Sequence, residues 1–255
     1  MTGQHKTSTT VAKAFAILDM LVSKGGNGLS LSEVSSHLQV SKSTAHRYLT
    51  TLEELEVVTR DERDHFALGP KLIELTGAFL STYDLRTESD PSLNKLSAQT
   101  QETVHLAIPS GNAVVYVAKV DSPHSVRMAS RLGTRNPLHC TALGKAILAH
   151  YPPDRVEEII REGLSARTPH TLTTPEALRA ELECVRAQGF ATDDQENEIG
   201  VRCASAPIFD YTGKVIAAIS VSGPASRVTR ERSIELGPLV KEAAQQVSRR
   251  MGYQP

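Results

Sequence analysis

The stretch LSLSEVSSHLQVSKSTAHRYLTTLEELEVV, residues 29–58, decides the fold of the N-terminal part of the chain. Ser30-Leu31-Ser32-Glu33 fits a capping box, in which a Ser at the N-cap and a Glu three residues later satisfy free backbone N–H groups. Val34 and Leu38 then give that helix an apolar stripe at helical spacing. After Gln39-Val40, Ser41 can cap a second helix whose inward positions are Ala45, Tyr48 or Leu49, and Leu52. Its outward face carries Lys42, Ser43, Thr44, His46, Arg47, Thr50 and Thr51, and the first acid comes only at Glu53. Hydroxyls, a Lys and an Arg on the front of a helix are donors suited to phosphates and base edges, and a helix fits the DNA major groove. An ordinary helical hairpin with a solvated face has the same local pattern, but the next residues favour the DNA reading. Val57–Arg60 and His65–Leu68 are strand-like runs around the charged tip DERD, the pattern of a wing. Val11, Ala14, Leu18 and Leu21 supply a helix upstream. Residues 1–69 therefore read as a winged helix-turn-helix domain that binds double-stranded operator DNA through Lys42, Ser43, Thr44, His46, Arg47 and, on the wing, Arg60.

Composition bounds this reading. The 255 residues suffice for two domains, and the net charge of −1 lacks the strongly basic balance usual in a DNA binder. Weak contacts per monomer favour a homodimer across two half-sites, which doubles the phosphate contacts. Three cysteines make no disulfide framework and suit a reducing cytoplasm. No apolar run approaches 18 residues, so no membrane span is expected. The absence of Trp and the 4% aromatic content argue against a stacking platform for single strands.

Gly69-Pro70 ends the wing and opens a linker helix over residues 70–87, apolar at Leu72, Ile73, Leu75, Ala78, Phe79 and Leu80. Asp90-Pro91 signals another helix start, and Leu93 and Leu96 form its inner face. Thr103–Ile108 and Ala113–Val120 flank Pro109-Ser110-Gly111-Asn112 and read as a hairpin, with Val126–Arg131 a third strand. Helices are expected over 141–150, 153–162, 175–188 and from Arg230 to Met251. Strands are expected over Phe190–Asp193, Arg202–Phe209 and Lys214–Ser222. Hairpins with helices gathered at the ends predict an α+β domain over 88–255, one mostly antiparallel sheet covered by helices.

Four segments of this second domain carry unusual chemistry. Asn136–Lys145 is a loop running into a helix near Thr141, where free backbone amides around Ala142 and Leu143 can hold a carboxylate. Gly144-Lys145-Ala146 lacks the upstream glycine and following Ser/Thr of a nucleotide-binding loop. Asp193–Glu198 is an acidic loop after a strand, and Cys203 occupies a strand position where a thiol is most often a small hydrophobe. Ser220 and Ser222 share one face of their strand, which is costly in a core unless something hydrogen-bonds them. A small polar ligand would. Two other readings use the same segments. Cys203 with His139 would serve a cysteine-dependent hydrolase, though no orienting third residue is evident. His139, Cys140, Asp193 and Cys203 would serve a metal- or redox-responsive regulator, though no CxxC or HExxH spacing supports one. No cofactor and no metal are expected.

The order of these motifs resembles the IclR family of bacterial transcriptional regulators. The resemblance spans nearly the whole chain: Ser-Lys-Ser-Thr-Ala-His-Arg, Pro-Leu-His-Cys-Thr-Ala-Leu-Gly-Lys, Gly189-Phe-Ala-Thr-Asp-Asp-Gln-Glu, Gly200-Val-Arg-Cys-Ala-Ser-Ala-Pro-Ile and Ala217-Ala-Ile-Ser-Val-Ser-Gly-Pro224. It implies a winged helix-turn-helix, a linker helix and a GAF-like effector domain, in dimers that pair into tetramers. It also implies a small organic-acid effector, with a repressor of a catabolic operon as the expected role. Amides at Ala142 and Leu143 would meet the acid. Asp193, Cys203, Ser220 and Ser222 match the polar pocket positions, and Val126, Met128, Leu138 and Val201 would supply apolar walls. Leu143 is larger than the residue common at that place in glyoxylate or pyruvate sensors.

Overall fold

The computed structural model describes residues 9–24, 28–75 and 84–254. The chain divides into two compact units, Met1–Tyr83 and Asp84–Pro255.

The first unit is built as its sequence predicts, with one shift. Helix α1 spans Thr9–Ser23, and its buried residues are Ile17 and Leu21, while Val11 is exposed. Ala14, Leu18 and Leu21 of the expected stripe pack on the small core of the unit, and Ile17 rather than Val11 completes it. A two-residue strand, β1 (Leu29–Ser30), precedes α2 (Leu31–Leu38), and the capping box forms: Ser30 Oγ accepts from Glu33 N while Glu33 Oε2 accepts from Ser30 N at 2.8 Å. The connection to α3 (Lys42–Glu54) turns through Gln39 in the left-handed region, and Ser41 caps α3 by accepting from Thr44 N. Ala45, Leu49 and Leu52 face the core with Val34, and Tyr48 is only half-buried. Strands β2 (Val58–Arg60) and β3 (His65–Leu68) form the wing, and β1 adds to β3 at the other edge. Asp61 shapes the tip, its Oδ1 accepting from Arg63 N and His65 N at 2.8 Å.

Residues 71–75 are helical, as expected for the start of a linker; Ala78, Phe79 and Leu80 lie outside the described residues. The next helix, α4, spans Leu85–Thr100, so residues 85–87 belong to the second unit and not to the linker. Asp84 is its N-cap, accepting from Arg86 N at 3.0 Å, and Asp90-Pro91 lies inside it. An interior Pro forfeits one backbone hydrogen bond, and here the helix tolerates it.

The second unit is one antiparallel six-stranded sheet in the order β6-β5-β4-β9-β8-β7. Its strands are β4 (Thr103–Ser110), β5 (Ala113–Val120), β6 (Arg135–Pro137), β7 (Ala191–Asp194), β8 (Val201–Phe209) and β9 (Val215–Pro224). The expected third strand at Val126–Arg131 does not form. Residues 121–134 are an irregular strap, and β6 takes the edge beside β5. Only the strap's end at Gly133 and Thr134 exchanges backbone hydrogen bonds with Tyr116 of β5, and side chains hold the rest: Lys119 Nζ donates to the Met128 and Ser130 carbonyls, and Arg227 to the Val126 carbonyl.

Helices cover both faces. Leu93 and Leu96 of α4, and Leu236, Val240, Ala244 and Val247 of α8 (Arg230–Arg250), pack on Val104, Leu106, Ala204, Ile219 and Val221. On the other face lie α5 (Ala142–Leu148), α6 (Pro153–Glu162) and α7 (Pro175–Gln188), which bring Ile147, Ile159, Leu178 and Leu182 against Ala107, Ala191 and Ala218. Among the described residues no helix is long and apolar enough to cross a membrane.

One ionic cluster is buried in this second layer. Lys145 of α5 is 1% exposed, and its ammonium donates to Glu181 of α7 at 2.8 Å and to Glu196 at 2.5 Å. Removing one partner of such a pair leaves a buried charge uncompensated. Lys145→Ala is expected to lower the stability of the second unit by about 3–5 kcal/mol, read by denaturant unfolding of the full chain. Gly144→Ala is expected to cost about 3 kcal/mol, toward the upper end of overpacking penalties, because the added Cβ would stand 2.1 Å from the Leu138 carbonyl oxygen.

Candidate functional site

Two places in the chain gather polar side chains that the fold itself does not use. The first is the front of α3. Lys42, Ser43, His46 and Arg47 are exposed and Thr44 is half-exposed, while the opposite side of the helix is core. Ser41 Oγ also lies 2.9 Å from the hydroxyls of Ser43 and Thr44, which fixes the first turn. Arg60 is on β2, where its guanidinium pairs with Asp64 at 2.7 Å and lies over the Phe66 ring. It must exchange that carboxylate for any phosphate it binds.

The second place is a cavity of about 560 Å³ in the C-terminal unit. The pleat of the sheet builds its floor. Along β9, Ala217, Ile219 and Val221 face the α4–α8 layer, so Ala218, Ser220 and Ser222 face the other side. The register then lays two polar rows across the strands. Asp193 of β7 lies opposite Cys203 of β8, Cys203 opposite Ser222 of β9, and Ser222 opposite Thr103 of β4. In the next row Ser205, Ser220, His105 and Lys119 are successive partners. The α5–α7 layer covers only part of this face, and the cavity opens over the rest.

All eight residues that sequence reading grouped as effector contacts, Met128, Ala142, Leu143, Asp193, Val201, Cys203, Ser220 and Ser222, line this one cavity. The two further wall positions do not. Leu138 is fully buried in the core beneath α5, and Val126 is exposed on the strap. Thr141 caps α5 by accepting from Gly144 N at 3.0 Å, and among the described residues the Ala142 and Leu143 amides donate to no protein group. Ser220 and Ser222 lie 3.4 Å apart, a long contact that leaves most of their hydrogen-bonding capacity open.

Asp193 is the most unusual group of the site. It is 3% exposed, and its Oδ1 accepts from Glu196 N at 2.7 Å. Burial, with the Glu196 carboxyl beside it, pushes the Asp193 carboxyl up to about 7. Burial raises the Cys203 thiol and the Tyr116 hydroxyl as well, so both are neutral. Cys203 is therefore no thiolate nucleophile. His139, its suggested base, bonds the Ser165 carbonyl and does not line the cavity. Among the described residues no group of three or more His, Cys, Asp or Glu side chains is placed to hold a metal.

Sequence reasoning missed several wall residues. Tyr116 of β5, Asn197 and Ile199 of the loop after β7, and Arg127 and Arg131 of the strap all line the cavity. Reading 126–131 as a strand hid the arginines. It also hid His105, which is fully buried, stacks on Tyr116 with centroids 4.5 Å apart, and holds Ser130 of the strap at 2.6 Å. Burial, then the nearby Lys119, lowers the His105 imidazole to about 3 and keeps it neutral. A His in the middle of an apolar strand was the available signal.

Comparison with known proteins closes the question of family. The IclR helix-turn-helix domain matches residues 10–62, and the bacterial transcriptional regulator IclR C-terminal domain matches residues 77–249. The chain is 38% identical over 253 residues to the HTH-type transcriptional regulator KdgR of Escherichia coli, covering 98% of this chain and 95% of that protein. It is 34% identical over 252 residues to the HTH-type transcriptional repressor AllR of the same species, covering 97% and 92%. Among solved structures, the Thermotoga maritima IclR is similar with a TM-score of 0.64 and 39% identity over 96% of this chain and 99% of that one. The Agobacterium tumefaciens repressor BlcR has a TM-score of 0.84 at 27% identity over 98% and 100%. With both domains matched in order and the relatives matched nearly end to end, the chain belongs to the IclR family of bacterial transcriptional regulators and is not an enzyme.

Proposed function

We propose that this regulator is a ligand-responsive repressor of a catabolic operon, binding double-stranded operator DNA as a homodimer that can pair into a dimer of dimers. Lys42, Ser43, Thr44, His46 and Arg47 are its groove-side contacts, and Arg60 on the wing is a phosphate contact. A protein reading operator DNA works in the cytoplasm. Its effector is an organic acid held in the cavity of the C-terminal unit. Met128, Leu143 and Val201 are the apolar walls of that site, and Asp193, Cys203, Ser220, Ser222 and the Ala142 and Leu143 amides are the polar contacts.

One observation carries this reading. The sheet directs two hydroxyls, a thiol and a carboxyl into a cavity of about 560 Å³, and the helix beside them offers two unbonded amides. Buried polar groups are costly without partners, and an acid supplies acceptors for the amides and hydroxyls at once. The named relatives agree with it at the level of their printed names: KdgR is a transcriptional regulator, and AllR and BlcR are repressors.

Gel-shift titration against the intergenic DNA flanking the gene tests the DNA half. Arg47→Ala is expected to weaken sequence-specific binding by about 1–3 kcal/mol, and unchanged affinity would refute the assignment of α3. A thermal-shift screen of organic acids tests the other half. An acid that raises the unfolding temperature of the wild type is expected to lose that effect in Ser222→Ala and to release the operator in the gel shift.

A further inference from the structure

Behind the cavity wall at Asp193 lies a charge imbalance that the acid-sensing reading does not itself explain. Asp193, Glu196 and Glu181 are three carboxyl groups gathered around a single buried ammonium, Lys145. Lys145 is spent on Glu181 and Glu196, and no cation lies within ion-pair distance of Asp193. Glu196 Oε2 is buried with no hydrogen-bond partner. Asp193 accepts backbone hydrogen bonds from the Glu196 and Asn197 amides and no side-chain cation, and its buried carboxyl lines the cavity. An effector carboxylate seated among Ala142, Leu143 and Ser222 would add a further negative charge beside it. Two carboxylates in a desolvated site cannot both ionise cheaply, and a shared proton resolves the conflict.

We propose that Asp193 serves the cavity as a hydrogen-bond donor, so that an acid effector binds as its carboxylate together with a proton carried on Asp193. This rests on the acid reading of the site above. The donor sets specificity: acceptor-rich acids are taken, and ligands presenting an ammonium or a second donor at this point are not favoured. Affinity for the acid is then linked to pH, falling as Asp193 ionises.

The other charged and titratable groups around Asp193 leave that linkage visible. Burial raises Cys203, Tyr116 and Cys140, so all three stay neutral through neutral pH. Lys145 loses to burial and gains more from its two glutamates, and it stays charged. Glu181 partners Lys145 from α7, and burial raises Glu196. Glu198 lies on the same cavity wall, as do Arg127 and Arg131 of the strap, and Arg167 lies nearer Cys140. Asp193, raised by burial and then by Glu196, titrates near 7. In the unfolded chain the carboxyl titrates near 4. Below that value it is protonated in both states. Between about 4 and 7 the folded protein keeps the proton and the unfolded chain does not, so stability falls as pH rises through this window and levels off above it.

The experiment compares wild type, Asp193→Asn and Asp193→Leu as full chains. Asn keeps a donor and cannot titrate, whereas Leu keeps neither property. In the free protein, the folding constant of the wild type relative to Asp193→Asn is expected to fall by up to tenfold per pH unit between about 4 and 7. Parallel profiles would overturn the proposal. Calorimetric titration with sodium pyruvate and sodium gluconate at pH 6 and pH 8.5 reads the ligand half. Wild type is expected to bind at least one acid tenfold or more tightly at pH 6 than at pH 8.5, and to take up a proton on binding at pH 8.5, where Asp193 is ionised in the free protein, shown by heats that vary with buffer ionisation enthalpy. Asp193→Asn is expected to bind equally at both values, and Asp193→Leu weakly at both. Equal wild-type affinity at the two pH values would overturn the coupling. Failure of both acids to bind wild type at pH 6 sinks the acid reading and the coupling with it, while the free-protein profile alone still decides whether Asp193 holds a proton.

Discussion

The C-terminal unit is governed by the two-residue period of its sheet. Once Ile219 and Val221 are committed to the α4–α8 layer, Ser220 and Ser222 have only the opposite face, and the register brings Cys203, Asp193 and His105 beside them. A one-residue slip would carry the entire polar set into the apolar layer. Specification of the core and specification of the site are therefore one event: the apolar half of each strand fixes where the polar half goes. The α5–α7 layer completes the arrangement, placing Ala142 and Leu143 above the rows and anchoring α5 from behind through Lys145.

The cost of this layout is visible in its unsatisfied groups. His105 Nδ1 and Glu196 Oε2 are buried without partners, and each such atom ordinarily costs about 1–3 kcal/mol. Such strain persists only where the surrounding structure over-determines it, and it clusters at functional positions. Two of the four such atoms among the described residues, on His105 and Glu196, lie against the cavity wall, and the other two are Ser92 Oγ and His150 Nε2. Glu196 offers its amide to Asp193 and its carbonyl to Thr171, and His105 holds the strap through Ser130. The wall is thus held by polar contacts instead of a ladder. The strap pairs with β5 only at its end, through Gly133 and Thr134 to Tyr116, and Lys119, His105 and Arg227 hold the rest.

Much of this was legible in the sequence, and the reasons divide by physical scale. Local chemistry read well: the capping box at Ser30, the Ser41 cap, the wing and the β4–β5 hairpin are short-range signals that each residue set carries alone. Ser220 and Ser222 were legible because alternation states which side chains share a face, whereas Asp193 and Cys203 were assigned to the pocket only through the family resemblance. Long-range competition was not legible. Val126–Arg131 has strand-like composition, but β6 took the edge of β5. Asp90-Pro91 has the look of a helix start, but Asp84 capped earlier and the helix absorbed the proline. Val11 fits the helical period as well as Ile17 does, and only the packed core distinguishes them. Lys145 looked like a fragment of a phosphate loop because its partners, Glu181 and Glu196, lie 36 and 51 residues away in sequence.

The division of labour between the two units follows from what each can hold. The first unit has a small core and an exposed, donor-rich helix front, suited to a polyanion whose charge is spread along a surface. The second unit can remove a small molecule from water, because its sheet and helices enclose a cavity whose polar groups are fixed in place before anything enters. Effector and operator can influence one another only through their differential affinities for two arrangements of the protein, and that influence is reciprocal. The wall segment with the fewest backbone bonds sets what such a difference can be made of. Side-chain anchors such as Lys119 to the Met128 and Ser130 carbonyls can exchange partners one at a time, whereas a ladder of strand hydrogen bonds yields only as a whole.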